Sequence, residues 1–230
     1  VAIGLIYNTY TFTTTGSVDT TGATLLVCVV CGSSTSNFAT PPSDSFSNTW
    51  TKLSTYGDNA DTNLIAIYYV FNPTVGPGHT FTSNTGGGGT SMFSVWSGTL
   101  QTSAVFDTQN GFGQTVGGNS TIQPGSITPA GIGELLITGL NTPQGTAYVI
   151  SVDSGFTIMD TQQSFTPFCA HAYLIDSSAS PINPTWTITS VSTLGSAIAA
   201  FKPPAAPAAG VFTQPSVAGS RGMRRFRSVR

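Results

Sequence analysis

The feature that most constrains this chain is a long-range internal repeat of β-type segments. In the first half, Thr24-Leu25-Leu26-Val27 leads to Asp44-Ser45-Phe46 and Trp50-Thr51-Lys52-Leu53. Then come Leu64-Ile65-Ala66-Ile67-Tyr68-Tyr69-Val70, a Pro-Gly loop, His79-Thr80-Phe81-Thr82 and Phe93-Ser94-Val95-Trp96. The second half answers with Glu134-Leu135-Leu136-Ile137, Asp153-Ser154-Gly155-Phe156 and Phe168-Cys169-Ala170-His171-Ala172-Tyr173-Leu174. It closes with Thr185-Trp186-Thr187-Ile188 and Ala197-Ile198-Ala199-Ala200-Phe201. The offset is 104 residues from Tyr69 to Tyr173, and 105 both from Phe81 to Trp186 and from Trp96 to Phe201. Leu25 to Leu135 is 110, so one connecting loop differs in length.

A period this long is not that of a solenoid, whose units run about 20–50 residues. It describes two sets of strands, each with an apolar face that it cannot bury alone. Packing or interleaving the sets closes one core about 10 Å thick. The expected fold is therefore all-β: a jelly-roll-like β-sandwich over residues 1–203, built from repeat halves at about 20–100 and 130–203. A pair of independent small sandwiches is the competing arrangement. Short β-branched and aromatic runs bounded by Gly, Pro, Asn, Asp and Ser predict strands at 3–7, 10–15, 24–31, 49–53, 63–71, 79–83, 91–96, 134–140, 147–152, 156–160, 168–175, 185–190 and 196–201. Gly86 to Gly89 read as a loop, because no helix or Lys-Ser/Thr follows to make a phosphate cradle.

Composition then excludes other classes. Charged residues are only 7% of the chain, against about 25% in an average soluble domain. Low charge suggests a membrane protein or disorder, and neither fits. No apolar run approaches the roughly 20 residues of a spanning helix, and a 39% hydrophobic content is too high for disorder. A neutral, hydroxyl-rich surface of this kind is common among virion and extracellular proteins, and the chain is expected in one of those places. It opens at Val1 with no visible signal peptide, which leaves processing, a numbering choice and a non-secreted virion protein all open.

The net charge of −2 hides a separation of sign. Residues 1–220 carry Lys52 and Lys202 against nine carboxylates, a balance of −7, whereas residues 221–230 carry five arginines. Between body and tail, Lys202-Pro-Pro-Ala-Ala-Pro-Ala-Ala-Gly210 reads as an extended linker, so residues 204–230 form a linker plus an Arg-rich tail. Charge separation of this sort points to an interaction tail. Its partner-binding candidates are Arg221, Arg224, Arg225, Arg227 and Arg230, with Phe226 and Phe212 as apolar anchors. Five arginines are few for packaging a genome, so a protein partner with an acidic surface is preferred to nucleic acid.

The segments SDSFSNTWTKL (43–53), IAIYYVFNPTVGPGHTFT (65–82), MFSVWSG (92–98), GELLITGL (133–140) and AIAAFKP (197–203) resemble a loose group of duplicated β-sandwich domains. Such domains occur in phage structural proteins and in secreted or surface proteins of environmental bacteria. The resemblance spans about residues 1–203 and rests on framework positions. It implies a fold and carries over no catalytic residues.

Catalysis needs titratable groups within mutual reach. This chain offers Glu134, His79, His171 and eight aspartates, with no Gly-x-Ser-x-Gly elbow. No buried pair of titratable residues is expected to converge on one cleft with a nucleophile, and no enzyme and no cofactor are expected. Asp44 and Asp153 read as repeat-equivalent turn acids. Asp58, Asp61 and Asn63 form a weak calcium candidate, since hard oxygens at alternating positions suit that ion but the spacing fits no EF-hand. Cys28 and Cys31, three apart on one strand, point to opposite faces, which disfavours a shared metal or redox site. They read as buried apolar cysteines, with a disulfide from Cys169 to one of them left open. Trp50, Tyr56, Trp96 and Trp186 are sugar-platform candidates whose strand patterns favour the core instead.

The expectation is a non-catalytic structural subunit of a virion or extracellular assembly, such as a decoration, tail or filament component. Its partners are other copies of itself or other virion or surface subunits. The alternatives are a lectin-like carbohydrate-binding module, with a glycan as partner, and a capsid protein contacting nucleic acid through the tail.

Overall fold

The unbroken apolar runs of both halves become the central strands of two five-stranded antiparallel sheets. The structure is a computed structural model and describes residues 2–58, 62–114, 119–143, 149–164, 166–191 and 193–204. The first sheet runs β1 (Gly4–Thr11), β7 (Gly89–Ser97), β2 (Leu25–Gly32), β5 (Leu64–Phe71), β4 (Thr51–Gly57). The second runs β8 (Phe106–Gln114), β15 (Leu194–Phe201), β10 (Leu135–Thr142), β13 (Phe168–Ile175), β12 (Thr157–Gln162). Counted along each half with β9 set aside, the two orders are the same. A small sheet accompanies each: β3 (Ser43–Asp44) with β6 (Phe81–Thr82), and β11 (Ile150–Val152), β14 (Trp186–Val191), β9 (Asn119–Ile122). In the first half Thr14 and Val18 bridge to Thr82 and His79, in the place that β9 takes in the second. Helix among the described residues is confined to two short 3-10 turns, Thr35–Phe38 and Ser103–Val105, and none is long and apolar enough to cross a membrane.

Strand registers align the halves residue by residue. Leu25 faces Phe71 and Trp96, and Leu135 faces Ile175 and Phe201. Tyr69 therefore corresponds to Tyr173, and Trp96 to Phe201. In the small sheets, Ser45 N–H donates to Thr80 O and Asp153 N–H to Thr185 O. Asp153 thus takes the place of Ser45, while Asp44 falls at Val152. The expected equivalence of Asp44 and Asp153 is one residue out, because two neighbouring turn acids look alike until the register is known.

The single expected core is in fact three. On β2, Leu25, Val27, Val29 and Cys31 face the second sheet, while Leu26, Cys28 and Val30 face the first half's own small sheet. On β10, Leu135 and Ile137 face the centre, and Leu136 and Leu140 face outward under the second small sheet. Successive side chains on a strand alternate between faces. A sheet covered on both sides therefore needs apolar residues throughout, which is why these runs do not alternate in the sequence. The halves are not independent sandwiches either, since the central cluster draws on both.

Two links cross that centre. Cys31 and Cys169 form a disulfide between positions 138 residues apart. Asn141 occupies on β10 the register of Cys31 on β2, and its Nδ2 donates to Gly32 O (3.0 Å) and Leu64 O (2.7 Å). Cys28 lies on the opposite face, free and buried, and burial pushes its thiol pKa far up. Beside these links a Cβ on Gly139 would lie 2.7 Å from Val29 Cγ1 and 2.8 Å from Ile65 Cδ1, so only hydrogen lets the sheets close here.

Strands β8 and β9 were not expected, since Gln109-Asn110-Gly111-Phe112-Gly113-Gln114 carries the residues of a turn. The glycines have another cause. A Cβ on Gly111 would stand 2.1 Å from Tyr56 Cγ, and one on Gly113 2.0 Å from the carbonyl carbon of Gly57. This face of β8 lies directly on β4 of the first half, where close backbone approach demands glycine.

Replacing Cys31 and Cys169 by Ser should lower unfolding free energy by about 2–4 kcal/mol, as removal of a long-loop crosslink does. Urea titration of the variant, and of the wild type with and without reductant, measures it. Gly139→Val should cost about 1–3 kcal/mol through overpacking between the sheets, read as a lower urea midpoint at unchanged slope.

Candidate functional site

The most elaborate polar cluster is closed. Asp44 Oδ1 accepts from Phe46 N (3.0 Å), Asn48 N (3.3 Å) and Asn48 Nδ2 (3.1 Å), and Oδ2 accepts from Trp50 Nε1 (2.9 Å). His79 Nε2 lies 3.2 Å from Oδ1, within ion-pair distance but without hydrogen-bond alignment. Its Nδ1 is 2.9 Å from Thr20 Oγ1, and its ring lies 4.6 Å from Phe46 and 4.4 Å from Phe81 between centroids. Burial pulls the His79 pKa below the ordinary histidine value, with the Asp44 carboxylate opposing. Hydroxyl, imidazole and carboxylate thus stand in the order of a nucleophilic relay. Such a buried pair was not expected from the sequence. Thr20, however, is fully buried and its oxygen accepts from Gly76 N (3.1 Å), so no substrate reaches it. The cluster fastens the 19–22, 44–50 and 76–79 loops over the first small sheet.

A second buried group sits at one end of the second sheet. Glu134 Oε1 accepts from Gly131 N (3.1 Å), Asp107 Oδ2 accepts from Ala130 N (2.9 Å), and Lys202 pairs with Asp107 at 3.1 Å. Burial first, and then the neighbouring Asp107, pushes the Glu134 pKa up to about 7. His171 stands alone in the central core at the register of Ile67, with neither ring nitrogen partnered, and burial pulls its pKa down to about 3.

The other sequence candidates are placed as follows. Asp58 Oδ1 accepts from Thr62 N (2.8 Å) and Asn63 N (3.0 Å), and Oδ2 from Thr62 Oγ1 (2.7 Å), so its oxygens already shape the turn proposed for calcium. Asn63 Nδ2 turns away to Thr193 Oγ1 and Thr62 Oγ1, and Asp61 lies outside the described residues. Among the described residues no group of three His, Cys, Asp or Glu can hold a metal ion. Trp50, Trp96 and Trp186 are buried in the cores, and Tyr56 is half-buried over Gly111. Phe212, Arg221, Arg224, Arg225, Phe226, Arg227 and Arg230 all lie outside the described residues.

An open cleft of ligand size lies on the strands that sequence reading missed. A cleft of about 610 Å³ runs between β8 and β9, lined also by residues 123–125, Asn183 and Thr185. Alternation on β8 sends Gly111 and Gly113 toward the first half and Asn110, Phe112 and Gln114 into the cleft. Asn110 is held at both ends, its Oδ1 accepting from Gly111 N (2.9 Å), and the other three carboxamides by one. Asn110 Nδ2 donates to Ser126 O (3.1 Å), and Gln114 Nε2 donates to Thr121 O (2.7 Å). Gln123 Nε2 donates to Asn183 O (3.3 Å) and Thr185 Oγ1 (3.1 Å), and Asn183 Oδ1 accepts from Gly125 N (3.0 Å). Gln114 Oε1, Gln123 Oε1 and Asn183 Nδ2 are left without a protein partner among the described residues. Phe112 is 52% exposed, and among the described residues no charged side chain lines the cleft. A smaller hollow of about 360 Å³ beside Phe38 and Lys52 offers less, because the Lys52 ammonium already lies 5.2 Å over the Phe38 ring. No family model matches the chain, and neither a curated protein nor a solved structure matches it.

The isolated imidazole makes a pH test. Unfolded, His171 takes up a proton below its ordinary value of 6.5, but the folded protein refuses it until about 3. Its neutral burial is therefore tolerated fully above 6.5, and stability drains away as pH falls from 6.5 toward 3. Glu134 acts in reverse, costing stability as pH rises from 4.5 through about 7. The advantage of His171→Leu over wild type in urea midpoint should therefore widen as pH drops below 6.5. That of Glu134→Gln should widen as pH climbs past 4.5.

Proposed function

We propose that this chain is a non-catalytic structural subunit of a virion or extracellular assembly, with residues 204–230 engaging a neighbouring subunit. The observation that carries the reading is the charge separation: −7 over residues 1–220 against five arginines in residues 221–230. Identical subunits then attract head to tail, a heterologous contact that propagates into rings or filaments. Rim contacts between guanidinium and carboxylate contribute only about 0.2–1 kcal/mol each. Specificity therefore falls to Phe212 or Phe226 filling an apolar pocket.

Two further features support the reading. The Cys31–Cys169 disulfide suits an oxidising compartment or a particle surface. Asp44 and His79 are consumed in fastening loops and His171 is sealed in a core, which favours a rigid body over an active site at these groups.

Sedimentation velocity of the full chain and of a 204–230 deletion, at low and high salt, tests it. The deletion should keep its strands by circular dichroism and stay monomeric, while the full chain assembles at low salt and dissociates at high salt. Arg224→Glu with Arg225→Glu should behave like the deletion. Equal sedimentation of all forms overturns the reading, and assembly that needs added nucleic acid favours the capsid alternative.

A further inference from the structure

We infer that the cleft between β8 and β9 binds a neutral polyhydroxylated ligand, a sugar residue of a glycan, with Phe112 as its stacking platform. This goes beyond the assembly reading and stands or falls separately from it.

The chemistry of the lining carries the argument first. A sugar presents hydroxyls, each both donor and acceptor, around a ring whose C–H faces are apolar. Gln114 Oε1 and Gln123 Oε1 offer acceptors and Asn183 Nδ2 offers donors, beside an aromatic face that is 52% exposed. Among the described residues the cleft has no charged side chain to offset the desolvation of an anionic or cationic ligand. Its volume of about 610 Å³ lies within the ordinary range for small-ligand sites and accommodates one or two sugar rings.

The carboxamides are also fixed in advance. The bonds to Thr121 O, Asn183 O, Thr185 Oγ1 and Gly125 N hold each side chain by one end and aim the other into the cleft. Ligand binding then orders little that is not already ordered. An extended peptide would pair along the main-chain edges that β8 and β9 also offer. The amide ends turned into the cleft beside Phe112 favour a sugar instead.

The first half provides an internal control. Phe93 pairs with Thr9 and Ser91 with Thr11, as Ile198 pairs with Asn110 and Ser196 with Phe112. Carrying that register along, Thr11 stands where the second half has Phe112, and Thr13 where it has Gln114. The small-sheet register places Gly16 at Gln123 and Gly78 at Asn183. The same fold is thus built without the aromatic and without these three carboxamides. Their presence in one half is not required by folding, and a ligand accounts for it.

Saturation-transfer NMR with the full chain tests this, using glucose, galactose, mannose, N-acetylglucosamine, N-acetylgalactosamine and their neutral disaccharides, with sialic acid and glucuronic acid as charged comparators. At least one neutral sugar should receive transfer through its C–H face. Phe112→Ala and Gln123→Ala should each weaken it by about tenfold, the loss of one stacking or hydrogen-bonding group. Both positions are at the surface, so their urea midpoints should match wild type. Thr11→Ala, the first-half counterpart, should bind as wild type does. Transfer to no neutral sugar, binding indifferent to Phe112 and Gln123, or preference for the acidic sugars each overturns the inference. So does tighter binding of a neutral hexaglycine peptide, which would make the cleft a peptide groove.

Discussion

Everything in this molecule follows from two sheets that must each hide both faces. A five-stranded sheet with Leu25, Val27 and Val29 on one side and Leu26, Cys28 and Val30 on the other has no surface fit for water. One face is covered by a small sheet within the same half, and the other only by the opposite half. The central layer is therefore where the two repeats become one body. Cys31–Cys169 and the Asn141 amide bonds to Gly32 and Leu64 lie in that layer, at positions related by the repeat. A covalent bond fills one place and a pair of hydrogen bonds the other, which suits residues that share a register but not an environment.

Polar groups inside such a body are costly unless partnered. Asp44 answers this with contacts to Phe46, Asn48 and Trp50, and Asp58 with contacts to Thr62 and Asn63. Both acids looked like loop residues in the sequence, and both are, yet their work is to fix the loops that cap the outer cores. His171 is an exception. It stands where Ile67 stands in the first half, with both nitrogens unmet, so at this position the second half carries a pH liability that the first does not.

The site was harder to read than the fold for a reason that lies in β8. Apolar runs such as Leu25–Gly32 advertise themselves, whereas Gln109-Asn110-Gly111-Phe112-Gly113-Gln114 has the composition of a turn. It is a strand because its neighbour β15 pairs with it and because β4 presses on the glycines from the other half. The alternation of Asn110, Phe112 and Gln114 with glycine is legible once that contact is known. The aromatic candidates failed for the opposite reason, since Trp50, Trp96 and Trp186 are large enough to be needed in the cores.

By itself the sequence determined the all-β class, the repeat and its anchor residues, and the division of charge between body and tail. These depend on local periodicity and composition, which any reading frame of the chain preserves. Tertiary structure alone decided that the repeats stack back to back through three cores and that Cys169 chooses Cys31 rather than Cys28. Such outcomes depend on which strand faces point at one another across about 10 Å of sheet spacing. That relation joins residues more than a hundred positions apart, and nothing local in the chain records it.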